Sequence, residues 1–194
     1  EAKQIQVDLK LEKLPFVCYS GAPNDAVDAA EKECHKMDFQ YGIRHIYVGS
    51  LIKRKHLDTT IKAFVSVKGP NDTLTVIGGG PEEQSLKNLT KTVDKTGSVQ
   101  FLGRISRSQV LEEMKEAQIF TLISDRETFG MVYIEAMLQG CLVIASKGGG
   151  FDGIIMDGVN GFLCNPGDKD MLKAIYKKIQ TLSESKRNTI GQNP

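Results

Sequence analysis

The chain has 194 residues and a mass of 21.4 kDa, the size of one domain or two small ones. Lys plus Arg number 25 against 24 Asp plus Glu, a net charge of +1 that argues against a protein built to coat nucleic acid or an anionic membrane. With 40% hydrophobic and 25% charged residues a buried core can form, and no apolar run approaches the ~18 residues a membrane helix needs.

The beginning of the chain differs from the rest. Residues 1–13 are polar and specify no clear element. Residues 14–19 read as a strand, and Asn24 or Asp25 can cap a helix containing Ala26, Ala29, Ala30 and Cys34. From residue 43 onward, short β-rich runs alternate with longer helical runs. Residues 43–48 predict a strand and residues 57–67 a helix, with Ile61, Phe64 and Val65 at a helical period. Residues 73–77 predict a strand closed by Gly78, Gly79 and Gly80. Pro81 then opens a helix, where proline costs nothing at the first position. Residues 99–102 predict a strand ending at Gly103. Ser108 caps a helix through Ala117, with Val110, Leu111, Met114 and Ala117 on one face. Residues 119–123 predict a strand, and residues 130–139 a helix stopped by Gly140. Residues 141–145 are a continuous apolar strand, residues 161–164 a last short strand, and residues 169–182 a last helix.

Continuous apolar strands imply burial on both faces. Their alternation with helices predicts an α/β fold, a parallel sheet flanked by helices. Such sheets bind ligands beyond the carboxyl ends of their strands, so the loops after Val48, Ile77, Leu102, Ile123 and Ala145 matter most. Cys18, Cys34, Cys141 and Cys164 form no Cys-x-x-Cys pair, which excludes a zinc ribbon on spacing and suits a reducing, cytoplasmic setting. His35, His45 and His56 have no metal-ligand spacing and read as structural or surface residues. Met114, Met131 and Met137 read as core.

Two acids stand out. Glu127 lies in the loop after the predicted strand 119–123. Glu135 lies in a helix that is apolar nearly all round and therefore buried. A buried carboxylate is costly unless something donates hydrogen bonds to it. A vicinal diol such as a ribose could do so, and so could nearby backbone or an arginine. The helix begins near Gly130, so its first N–H groups face the same loop as Glu127. In the plainer alternative Glu127 is a solvated loop acid. Gly148-Gly-Gly150-Phe-Asp-Gly153 formally matches a dinucleotide fingerprint, but no clear helix follows Gly153 and little chain remains for a second half-fold.

The run Ser124-Asp-Arg-Glu127-Thr-Phe-Gly-Met-Val-Tyr-Ile-Glu135-Ala resembles the signature of retaining nucleotide-sugar glycosyltransferases of family 4, which have the GT-B fold. The resemblance covers residues 43–190. It extends in order through Val48-Gly49-x-Leu51 with Lys55, Val76-Ile77-Gly-x-Gly80-Pro81, Phe101-Leu102-Gly103, Gly149-Gly150 and Asp157-Gly-x-Asn160-Gly161. It implies a Rossmann-like domain, the C-terminal half of a GT-B fold, over residues 41–194. Residues 1–40 would lead from an N-terminal acceptor domain absent from this chain, and residues 184–191 would stop short of the family's closing helix. The chain opens on Glu1 and is expected to be a fragment, inactive by itself.

By the same resemblance Glu127 contacts the donor sugar and Glu135 the ribose. Lys55 binds the diphosphate, so Glu127 and Lys55 are the catalytic candidates. Gly49, Ser50, Arg104, Ile105, Thr128, Phe129, Gly130, Met131, Val132, Gly149 and Gly150 are the further donor-binding candidates. One departure stands out. Ser50 occupies the place of the family's arginine and supplies no charge. Arg54 or Arg104 could substitute, although Lys53 and Arg54 also read as a solvated basic run. No Asp-x-Asp pair follows a strand, so the expected site uses no metal and no cofactor, only a nucleotide diphosphate sugar. Expected partners are that donor and the acceptor domain, with peripheral association of the full-length protein at the cytoplasmic membrane face and no nucleic acid. The alternatives are a non-catalytic nucleotide-binding module, for which Ser50 speaks, or another GT-B enzyme such as a nucleotide-sugar epimerase or a sugar phosphorylase.

Overall fold

A computed structural model describes residues 39–127, 130–149 and 154–191. The predicted elements at residues 14–19 and after Asn24 lie outside them. Six strands form one parallel sheet: β1 (Arg44–Val48), β2 (Thr73–Ile77), β3 (Val99–Gly103), β4 (Ile119–Leu122), β5 (Leu142–Ser146) and β6 (Phe162–Cys164). Six helices follow them: α1 (Leu57–Val67), α2 (Glu83–Val93), α3 (Arg107–Glu116), α4 (Met131–Leu138), α5 (Lys169–Thr181) and α6 (Glu184–Gly191). The sheet order is β3-β2-β1-β4-β5-β6, the order of doubly wound nucleotide-binding sheets. Every residue of β4 and β5 is buried, as their unbroken apolar runs require of strands covered on both faces.

Helices α1 and α5 pack on each other over β1 and β4. His45 of β1 fills the space between them, edge-on to Phe64 and Tyr176 with ring centroids 5.0 and 4.9 Å away. Tyr176 Oη lies within hydrogen-bonding distance of Thr121 Oγ1, at 3.0 Å. This confirms His45 as a structural residue. Burial pushes its pKa down to about 4 against the opposing pull of Asp72, so the ring is neutral at pH 7. Cys141 and Cys164 are buried free thiols that burial pushes up to about 12.

Two sequence expectations need correction, and a third element was not foreseen. Pro81 lies in a turn ahead of α2, whose N-cap is Glu82. Helix α3 is capped by Ser106, not Ser108. Ser106 Oγ accepts from Gln109 N, and the Gln109 side chain reaches back to Ser106 N, a complete capping box. Third, residues 184–191 form helix α6, which packs against β5. Its polar composition hid it, because only one flank is buried, through Arg187 and Ile190. Lys186 N donates to Ser183 Oγ at its start.

Candidate functional site

The strand order reverses between β1 and β4, and a crevice opens beyond their carboxyl ends. A cleft of about 490 Å³ lies there, lined by the β1 loop, the start of α3, Glu127 and the start of α4. Glycines shape its floor. A side chain at Gly78, where φ is +131°, would place its Cβ 1.9 Å from the Gly49 carbonyl oxygen. One at Gly80 would lie 2.4 Å from that of Leu51. The loop after β2 can therefore press its bare backbone against the β1 loop, which is why glycines recur there. Gly130 caps α4 in the left-handed conformation, with φ +49°, and lines the cleft.

Lys55 ends a short 3-10 turn, Lys53–Lys55, and is buried. Its Nζ donates to Glu127 Oε2 at 2.7 Å. The two side chains are only 10% and 16% exposed, so the pair is largely withdrawn from water. Tyr47 lies nearby, and its hydroxyl donates to the Ser50 carbonyl. Burial, then the charge of Glu127, push the Tyr47 phenol well above its ordinary pKa, so it stays a donor. The Tyr133 phenol is raised first by burial and donates to the Leu122 carbonyl at 2.7 Å.

Glu135 projects from α4 and is buried. Its Oε1 meets Arg107 Nη2 at 2.7 Å, so an arginine answers the question of what satisfies it here. Arg107 is the first residue of α3, placed by the Ser106 capping box. Both ion pairs line the same cleft.

Of the other predicted residues, Gly49, Ser50, Ile105, Gly130, Met131 and Val132 line the cleft. Arg104 does not. It is exposed and lies along Gly79 of the loop after β2. Gly149 follows β5 beside Ser146 and is also absent from the lining. Thr128, Phe129 and Gly150 lie outside the described residues. Arg54, read as part of a solvated run or as a substitute cation, instead ties down the loop before Glu127. Its guanidinium donates to the Arg126 carbonyl and to Ser124 Oγ, and its carbonyl accepts from Asp125 N. His56 Nε2 lies 2.9 Å from Asp125 Oδ1 without the alignment of a hydrogen bond.

Sequence reasoning missed Arg107 and Tyr47, and it did not foresee that Arg54 anchors the loop before Glu127. The Ser106-x-x-Gln109 spacing carried a signal for Arg107, since it sets that residue at the first helical position facing the loops. Nothing in the sequence pointed to Tyr47. Among the described residues no three His, Cys, Asp or Glu side chains gather to hold a metal ion, and no helix is long and apolar enough to cross a membrane.

Residues 42–193 match the family model of Glycosyl transferases group 1. The chain belongs to that family. An uncharacterized glycosyltransferase, MJ1178 of Methanocaldococcus jannaschii, is 28% identical over 190 residues, covering 97% of this chain and 50% of that protein. The N-acetyl-alpha-D-glucosaminyl L-malate synthase of Bacillus anthracis is 29% identical over 144 residues, covering 71% of this chain and 37% of that enzyme. The chain thus spans half the length or less of these relatives. Among solved structures, Anabaena Alr3699/HepE in complex with UDP superposes with a TM-score of 0.77 at 26% identity, over 93% of this chain and 51% of that one. The six-stranded sheet is thus the Rossmann-like sheet of GT-B glycosyltransferases, as the group 1 signature implies.

Proposed function

We propose that this chain is the donor-binding domain of a retaining, metal-independent family 4 glycosyltransferase that takes its sugar from a nucleotide diphosphate sugar. The observation that carries the reading is the Lys55–Glu127 pair, held at 2.7 Å inside the cleft at the sheet's reversal point. Water-depleted charge is expensive to keep, and a diphosphate and a sugar are ligands that use both partners. The UDP bound to Anabaena HepE supports the same donor class.

In this reading Lys55 and the first N–H groups of α4 near Gly130 bind the diphosphate. Glu127 accepts from sugar hydroxyls and Glu135 from the ribose. The remaining cleft residues shape the pocket, and Thr128, Phe129, Gly149 and Gly150 are assigned as further donor contacts on the family signature. The acceptor oxygen bonds to the anomeric carbon on the face that the diphosphate leaves, and the departing diphosphate oxygen takes the acceptor's proton. The protein's share is electrostatic: it stabilises charge growing on the diphosphate. The acceptor side and any membrane contact belong to the full-length cytoplasmic protein, so the 194-residue chain alone binds donor and transfers nothing.

A thermal-shift panel of UDP, GDP, ADP and their sugar conjugates on this chain tests the reading. A ligand at 100 times its dissociation constant should stabilise by about 2.7 kcal/mol. No shift with any of them overturns it. Ser50 favours a second reading, a nucleotide-binding module without chemistry. Nucleotide binding combined with no turnover in the full-length protein would select it.

A further inference from the structure

The proposed donor site lacks one cation, because Ser50 stands where the family's arginine is expected. We propose that Arg107 supplies that charge from another element, as the second cation for the donor's diphosphate. This assignment rests on the donor-site reading above.

A nucleoside diphosphate brings two or more negative charges, and Lys55 alone is a single point charge. Among the described residues lining the cleft, the cations are Lys55 and Arg107. Neither of the two arginines that the sequence offers instead lines the cleft. Arg54 is bound to Ser124 and to the Arg126 carbonyl, and Arg104 lies along Gly79 outside the cleft. Arg107 alone among these arginines enters, from the first turn of α3, and it is anchored there by Glu135 at 2.7 Å.

The anchoring explains how the site stays balanced when empty. Each cation meets a carboxylate: Lys55 meets Glu127, and Arg107 meets Glu135. When the donor enters, each carboxylate exchanges its cation for hydroxyls, the sugar's at Glu127 and the ribose's at Glu135. The released cations then turn to the phosphates. A planar guanidinium suits this role because, once Glu135 has taken up the ribose, its fork of donors can meet two phosphate oxygens at once. At 45% exposure its side chain is partly open to the cleft's solvent.

The test compares wild type with Arg107→Gln and Arg107→Lys, using Arg104→Gln as a control, by titration calorimetry. The ligands are whichever of UDP, GDP or ADP binds wild type, and the matching nucleoside without phosphates. Melting curves first confirm that the variants fold. The expected result is that Arg107→Gln weakens the diphosphate at least tenfold and the nucleoside less than twofold. Arg107→Lys should recover part of the loss, and Arg104→Gln should change neither ligand. Equal weakening of nucleoside and diphosphate would make Arg107 only a support for Glu135 and overturn the assignment. So would an unchanged diphosphate affinity. Failure of wild type to bind any of the three diphosphates would instead sink the donor-site reading, and this assignment with it.

Discussion

Two places where this fold buries titratable side chains follow opposite rules. In the cleft, Lys55 and Glu135 are buried and charged partners stand 2.7 Å from each. Between α1 and α5, His45 is buried with no hydrogen bond to Nδ1, and burial strips it of charge. The first arrangement costs desolvation and holds ionic groups ready; the second gives up its charge to fill space between two rings. A stability-driven design would use the second solution everywhere. The ion pairs at the reversal point are the groups that the proposed donor site would use, and each side of the contrast can be attacked separately.

The largest effect is expected at the cleft. Lys55→Met in the full-length enzyme should slow sugar transfer by about 10²–10³-fold, the usual cost of one lost transition-state donor at about 2.7–4 kcal/mol. Glu127→Ala should cut it more than tenfold. Initial-rate assays with saturating donor check both, and unchanged turnover in either would break the contrast. Each single change also leaves a buried charge alone, which costs on the order of 3 kcal/mol of stability. The double variant Lys55→Met with Glu127→Gln should recover most of that stability in urea melts while remaining inactive. Recovery of activity along with stability would mean that the pair is only a strut.

His45 sharpens the other side. Its folded pKa of about 4 lies below the 6.5 of an exposed histidine, so the unfolded chain binds the proton first. Its contribution is complete above pH 6.5 and fades as the pH falls toward 4, by about 3 kcal/mol in all. Urea melts between pH 7.5 and 4 should show this slope. His45→Leu, which cannot titrate, should flatten it, and an equal slope in the variant would refute the assignment.

Smaller effects test the scaffold under the cleft. Gly78→Ala must push a Cβ against the Gly49 carbonyl from a left-handed backbone, and should cost about 1–3 kcal/mol by thermal melting. Ser106→Ala removes the cap that sets Arg107 at the start of α3, and should cost about 1 kcal/mol. A neutral Gly78→Ala would mean that the β1 and β2 loops can part without loss.

Much of the fold was legible because its signals are local. The unbroken apolar runs of β4 and β5 announce burial on both faces, and Gly140 ends α4 where glycine should. Pro81 misled because a turn intervenes before α2, and α6 escaped because its sequence is polar with one buried flank. In the site, Glu127, Glu135 and Lys55 were legible from a fixed motif. Arg104 stands beside Gly79 and outside the cleft lining, because its direction depends on how the β2 and β3 loops stack, which no spacing encodes.

By itself, then, the sequence determined the alternating strands and helices, the glycine-bearing loops and the carboxylates at fixed intervals, all properties of neighbours along the chain. Only the tertiary structure decided which charges meet. Lys55 and Glu127 come from loops after β1 and β4, and Arg107 reaches Glu135 from a different helix. Ion pairing falls off within a few ångströms, so it is set by the sheet order that brings β1 beside β4, and not by distance in sequence.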